Sequence, residues 1–200
     1  SWRVRWALSH KGLPYRAVAV DLLKGEQRAP EHLQRNPLGA VPVLHIDGLI
    51  LGESIAILEY LEETRPEAPL LPTAPRDRAR VRQLTQVIVA DTQPLQNLSV
   101  LAHAEELGGG ADHRRTWAER YITRGFDAYE ALLGRRDWPT GVYSHGDAVT
   151  LADLCLIPQC HNARRQGIEL ARWPRIAAIE TACLATAAAQ ASRPDAFKPG

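Results

Sequence analysis

Residues 36–61 read Asn-Pro-Leu-Gly-Ala-Val-Pro-Val-Leu-His-Ile-Asp-Gly-Leu-Ile-Leu-Gly-Glu-Ser-Ile-Ala-Ile-Leu-Glu-Tyr-Leu, an order that few folds can use. Asp47-Gly48 stands between two short apolar runs (Val43, Leu44 and Ile46; then Leu49, Ile50 and Leu51). This predicts a β-hairpin, because glycine supplies a positive φ at no steric cost. Glu53-Ser54 then opens an amphipathic segment in which Ile57, Leu58 and Leu61 share one face, with Ser54 expected as the N-cap. Pro42 cannot donate to a strand ladder, so Val41-Pro42 belongs at a strand entry or an edge, and its peptide bond can be cis. Backbone groups beside it are then expected to face a ligand rather than another strand.

The rest of the chain divides around this stretch. Residues 1–8 have helical spacing, with Val4 and Leu8 four apart, as are Trp2 and Trp6; Gly12 and Pro14 end the helix. Residues 15–20 read as a strand. A helix followed by a strand wants an earlier parallel strand, since a right-handed β-α-β unit needs both. None precedes Ser1, and the 200 residues contain no methionine. The natural protein is therefore expected to carry roughly a dozen further N-terminal residues. Residues 21–35 read as a polar loop with a short helix. Pro66, Pro69, Pro72 and Pro75 forbid a helix across their segment. The expected organisation is one domain over 1–65, a linker over 66–76 and an all-helical domain over 77–200.

In that second domain, residues 77–107 predict a long helix interrupted at Pro94, ended by the glycines at 108–110. Residues 117–133 predict another, its aromatic stripe belonging to the core. Thr150 and Asp153 form a capping box, with Val149 and Leu154 as a hydrophobic staple. Along the helix that follows, His161 and Arg165 share a face, with Asn162 beside them. A final helix is expected from Trp173-Pro174 through Ala189, with an irregular tail beyond Ser192.

Charge and composition exclude several classes. A net charge of +1 gives no reason to expect nucleic acid or a membrane surface as partner. No apolar run approaches the length of a membrane span. The three cysteines, Cys155, Cys160 and Cys183, match no zinc spacing, and the histidines contain no i, i+4 pair, so no metal is expected. An odd, scattered set of cysteines fits a reduced, cytoplasmic protein.

Val41-Pro42 before a hairpin, followed by Glu53-Ser54 at a helix start, resembles the glutathione-binding half of a cytosolic glutathione transferase. Ser-Trp-Arg-Val-Arg at the N-terminus, followed by Ala-Leu, Lys11-Gly12 and Tyr15, is similar to the first helix of the zeta class, the maleylacetoacetate and maleylpyruvate isomerases. The resemblance implies an α+β, thioredoxin-like N-terminal domain lacking its first strand in this chain, then an all-α helical bundle. It also implies a homodimer, glutathione as cofactor, and, for maleylacetoacetate, a place in aromatic amino acid catabolism.

Residue roles follow from the same resemblance. The backbone of Val41 would pair with the cysteinyl part of glutathione, and Glu53 and Ser54 would hold its γ-glutamyl end. A carboxylate there is favoured by the free N–H groups of a helix start and by the Ser54 hydroxyl. Gln27 falls near the glycyl end, although as a bare residue it is equally a solvated glutamine. Gln93, Asn97 and Ser99, in a run matching the zeta class, would lie at the glutathione site; taken alone they are polar residues of an amphipathic helix. Ser1 would end the family's catalytic Ser-Ser-Cys-Ser tetrad, whose main serine and cysteine would precede residue 1. Arg165, or Arg164 beside it, would hold a substrate carboxylate, for which a planar, permanently charged fork is suited; the alternative is a surface arginine.

The expected reaction is cis-trans isomerisation of a maleyl keto acid. The glutathione thiolate adds reversibly to the conjugated double bond, permits rotation and leaves. The start of the first helix supplies partial positive charge for that sulfur. Two alternatives belong to other classes: a transferase that conjugates small electrophiles, and a non-catalytic interaction protein on the same scaffold.

Overall fold

The computed structural model describes residues 1–138 and 140–197. Its organising hairpin is β1 (Leu44–Ile46) and β2 (Leu49–Leu51), antiparallel with Leu44 opposite Leu51 and Ile46 opposite Leu49. Asp47 and Gly48 both take positive φ, 52° and 77°. That is the backbone a two-residue turn needs to match the strands' twist. The turn is tied down by Arg65, whose guanidinium donates to both Asp47 oxygens at 2.6 and 2.7 Å, and by the Tyr60 hydroxyl at 2.6 Å.

The chain divides into two compact units, one of Ser1–Leu70 with the segment from Thr186 on, the other Leu71–Ala185. In the first, α1 (Trp2–His10) packs on α3 (Ser54–Thr64), and a short α2 (Pro30–Arg35) precedes the hairpin. Ile57, Leu58 and Leu61 of α3 are fully buried, as the helical spacing requires. α1 is apolar over most of its circumference: Trp2, Val4, Trp6, Ala7 and Leu8 are all buried. Residues of the segment 186–197 cover one side of α1. There α9 (Ala187–Ser192) accepts the Trp2 indole N–H on the Ser192 hydroxyl at 3.1 Å, and the Arg5 Nε–H on the Ser192 carbonyl at 3.1 Å. Phe197 stacks on Tyr15 under the Arg5 guanidinium. Lys11 closes the unit: its buried ammonium lies 2.9 Å from Glu62 and within reach of the carbonyls of Arg65, Glu67 and Ala68. Glu62 in turn accepts the Leu70 N–H at 3.0 Å.

The second unit is helical throughout: α4 (Pro75–Val89), α5 (Leu98–Gly108), α6 (Ala111–Leu133), α7 (Leu151–Arg165) and α8 (Pro174–Leu184). α4 packs on α7 and α5 on α6, with α6 and α7 both against α8. The capping box at the start of α7 forms. The fully buried Asp153 carboxylate accepts the Thr150 N–H and hydroxyl, each at 2.8 Å, and the Ser144 N–H at 2.9 Å.

Four local expectations differ from the fold. Residues 15–20 form no strand, because β1 pairs only with β2 and no described residue offers them a ladder partner. The cap of α3 is Glu53, with Ser54 as the first helical residue. The helix expected over 77–107 with an interruption at Pro94 does break there, but the break is wider than expected: α4 stops at Val89, a 3-10 turn carries Gln93–Gln96 with Pro94 in its first positions, and α5 starts anew at Leu98. Proline lacks the N–H that a continuous helix would use there. The helix expected through Ala189 is also divided. α8 ends at Leu184, and the Thr186 hydroxyl caps α9 by accepting the Ala189 N–H at 3.3 Å.

Candidate active site

In the first unit the loop before the hairpin is built around Asn36, which is buried. Its Oδ1 accepts the Leu38 N–H at 3.1 Å, which makes a turn of residues 36–39, and its carbonyl accepts the Gly39 N–H at 2.9 Å. Its Nδ2 donates to the Ala40 carbonyl at 3.0 Å, and His32 Nε2 meets the same oxygen at 3.0 Å. Two contacts on one carbonyl fix the peptide just ahead of Val41. The Val41-Pro42 bond is cis. Val41 lies before the first ladder pair, and its N–H and carbonyl make no backbone hydrogen bond among the described residues. Such groups are satisfied by water or by a ligand.

Gln27 reaches the same loop. It sits in a 3-10 turn, Glu26–Arg28, and its carbonyl would lie 3.2 Å from a Cβ placed on Gly39, whose φ is +60°. Its side-chain Oε1 is buried with no hydrogen-bond partner among the described residues. On the other side, a Cβ on Gly52 would come within 3.3 Å of Asn36 Nδ2. Asn36 therefore lies between the Val41 loop and the start of α3. Glu53 there holds φ 57° and ψ 113°, a conformation L residues rarely adopt, and its side chain is exposed. Strain of this kind collects at binding sites. Ser54 accepts from Arg3 Nη1 at 3.1 Å. Ser1 is exposed at the start of α1, and its carbonyl accepts the Arg5 N–H at 3.2 Å.

In the second unit, Gln93 donates its amide to Asn97 Oδ1 at 2.8 Å, and Asn97 and Ser99 are exposed at the start of α5. This exposed turn rests on a buried polar network. Thr92 caps the broken end of α4 by donating to the Val87 carbonyl at 2.6 Å. Gln96 donates to the Thr92 carbonyl at 2.8 Å, while its Oε1 accepts from Gln159 at 2.7 Å and Asn162 at 2.5 Å on α7. Trp117 of α6 donates to the Leu95 carbonyl at 2.9 Å. At the far end of α7 the two candidate arginines part company. Arg164 is ion-paired with the buried Glu180. Arg165, the last helical residue, is exposed, and its side chain has no hydrogen bond or ion pair among the described residues.

The chain's own thiols are poor nucleophiles. All three cysteines are buried, and burial pushes the Cys160 and Cys183 thiols up, away from the thiolate. A cavity of about 590 Å³ lined by Leu133, Trp138, Val142, Arg175 and Ile179 contains none of the candidate residues. Its Arg135 and Arg175 are already paired with Asp137 and Glu130.

Comparison with known proteins bears directly on this arrangement. Residues 1–63 match the glutathione S-transferase N-terminal domain family. Maleylacetoacetate isomerase of Rhizobium meliloti (strain 1021) is 49% identical over 100% of this chain and 93% of its own length. The chain belongs to the zeta-class glutathione transferases, the maleylacetoacetate isomerase family. A solved bacterial zeta-class maleylpyruvate isomerase in its holo form superposes with a TM-score of 0.95 at 39% identity, over 98% of this chain and 93% of that one. Maleylacetoacetate isomerase of Methylobacterium extorquens AM1, solved with malonate and glutathione bound, gives 0.92 at 40% identity over 96% and 91%.

As a zeta-class chain the protein has the fold that the resemblance implied, a thioredoxin-like unit and a helical one. Sequence reasoning passed over what supports the candidate residues: Asn36 with His32, and Arg3, in the first unit, and the Gln96 network in the second. Asn36 had a signal in its Asn-Pro-Leu-Gly turn. Arg3 and Gln96 had none, since their partners are 51 and more than 60 residues away.

Proposed function

We propose that this protein is a glutathione-dependent cis-trans isomerase of a maleyl keto acid, converting maleylacetoacetate to fumarylacetoacetate or maleylpyruvate to fumarylpyruvate. Bound glutathione supplies a thiolate that adds reversibly to the cis double bond, lets it rotate and leaves unconsumed. The orphaned Gln27 oxygen, the unengaged Val41 backbone and the strained Glu53 fit such a ligand.

The Val41 N–H and carbonyl hold the cysteinyl peptide, as a short strand would. The Ser54 hydroxyl and the first N–H groups of α3 take the γ-glutamyl carboxylate, and Glu53 takes its ammonium. Gln27 serves the glycyl end. Gln93, Asn97 and Ser99 supply further polar contacts to glutathione, and Ser1 stands where the start of α1 favours negative charge on sulfur.

Arg165 carries the reading beyond a merely conjugating transferase. Its guanidinium has no partner among the described residues, whereas that of Arg164 is committed to Glu180, so Arg165 binds the carboxylate of the maleyl acid. Arg165→Ala should raise KM for the acid roughly 10- to 100-fold while glutathione affinity stays unchanged, in keeping with the loss of a hydrogen bond to a charged group.

The protein is a cytoplasmic homodimer acting in aromatic amino acid catabolism. No disulfide joins its three buried cysteines, which supports the reducing compartment, and no described helix is long and apolar enough to cross a membrane. The deciding assay follows both maleyl acids with and without glutathione. Turnover that needs glutathione and leaves its concentration unchanged is expected; turnover undiminished without it, or glutathione consumed in step with substrate, overturns the proposal.

A further inference from the structure

We infer that Arg3 is the positioning residue for the γ-glutamyl carboxylate of glutathione, acting through the Ser54 hydroxyl; this rests on the reading of Ser54 given above. Arg3 Nη1 donates to Ser54 Oγ at 3.1 Å, and that is the bond each side chain makes among the described residues. A guanidinium is only a donor, so it occupies a lone pair of the hydroxyl and leaves the hydroxyl hydrogen free to donate onward. An oxygen that accepts from a cation is also a stronger donor, because successive hydrogen bonds polarise one another. Without Arg3 the hydroxyl could turn its hydrogen toward any acceptor nearby. With it, the hydrogen points away from α1.

Charge supports the same assignment. Arg3 is half-buried and has no carboxylate partner among the described residues, although Glu53 is next to Ser54 in the chain. The fork has five N–H groups, of which Ser54 uses one. The others stay available at the first turn of α3, where free backbone N–H groups already favour an anion. A serine hydroxyl, a helix start and an uncompensated guanidinium together select a carboxylate over a neutral amide. Arg3 comes from α1, so the helix whose start is assigned to the central cysteinyl sulfur also orients the γ-glutamyl end of the tripeptide.

The test is calorimetric binding of two ligands, glutathione and its analogue with the γ-glutamyl α-carboxylate converted to a primary amide. The wild-type protein should bind glutathione at least tenfold more tightly than the amide. Equal binding of the two, or no binding of either, overturns the Ser54 reading itself. Given wild-type discrimination, Arg3→Met should weaken glutathione roughly 30-fold and the amide less than threefold. Arg3→Lys should keep part of the discrimination, since it retains the charge without the fork. Discrimination that survives in Arg3→Met, or both ligands weakened alike, overturns the role of Arg3 while leaving Ser54 in place. Should Arg3→Met fail to fold, Arg3→Lys decides: a loss confined to glutathione supports the role, and equal changes for both ligands overturn it.

Discussion

At Asn36 one carboxamide governs the backbone on both sides of the candidate glutathione site. It shapes the turn at residues 36–39, holds the Ala40 carbonyl and abuts Gly52. Asn36→Ala leaves the Leu38 N–H without its acceptor and the Ala40 carbonyl with His32 alone. We expect a loss of about 1–3 kcal/mol in stability, read from urea unfolding, and glutathione binding about tenfold weaker. Wild-type affinity in a destabilised Asn36→Ala would separate the turn from the site.

Asp47 gives a prediction in pH. The Arg65 fork, and then the Tyr60 hydroxyl, hold its carboxyl down to about 2. Because the folded value is the lower one, the unfolded chain takes up its proton first as pH falls. The contribution is complete above the ordinary carboxylate value near ~4 and is lost as pH falls through that value toward about 2. Asp47→Asn should therefore flatten the acid limb of the melting temperature between about pH 4 and 2. The group is exposed, so the effect is small; a variant as acid-sensitive as the wild type would show that the pair adds nothing.

Among the elements, the break between α4 and α5 shows how a proline is built into a helical unit. The backbone left open at the end of α4 is satisfied by Thr92, and the following turn by Gln96, Gln159 and Asn162. Thr92 fits because α6 has a glycine opposite it: a Cβ on Gly125 would lie 2.0 Å from the Thr92 hydroxyl oxygen. Gly125 is inside a helix, where glycine is otherwise the poorer choice by about 1 kcal/mol. Gly125→Ala should nevertheless destabilise, by about 1–3 kcal/mol, since the clash outweighs the gain in propensity. For a chain of this size that is a fall of roughly 2–12 °C in melting temperature. A rise instead would show that Thr92 moves aside freely.

For the whole molecule, the chain's two ends belong together. Trp2 and Arg5 at one end are satisfied by Ser192 at the other, and Tyr15 by Phe197. Removing residues 186–200 should expose one side of α1, lower the melting temperature and weaken glutathione binding through the loss of a fixed α1; an unchanged melt would make α9 an ornament of the fold. Local patterns in the sequence determined the hairpin, since Asp47-Gly48 needs only its own backbone, and the buried stripe of α3, since Ile57, Leu58 and Leu61 are spaced by the helix itself. They also carried the family resemblance. Tertiary structure alone decided which neighbouring arginine is engaged, because Glu180 lies 16 residues from Arg164, and what steadies Ser54, because Arg3 lies 51 residues away. It also ended the strand expected at residues 15–20, which had the composition for a ladder but no partner among the described residues. Periodicity is a property of neighbours in the chain, whereas a hydrogen bond or an ion pair belongs to neighbours in space.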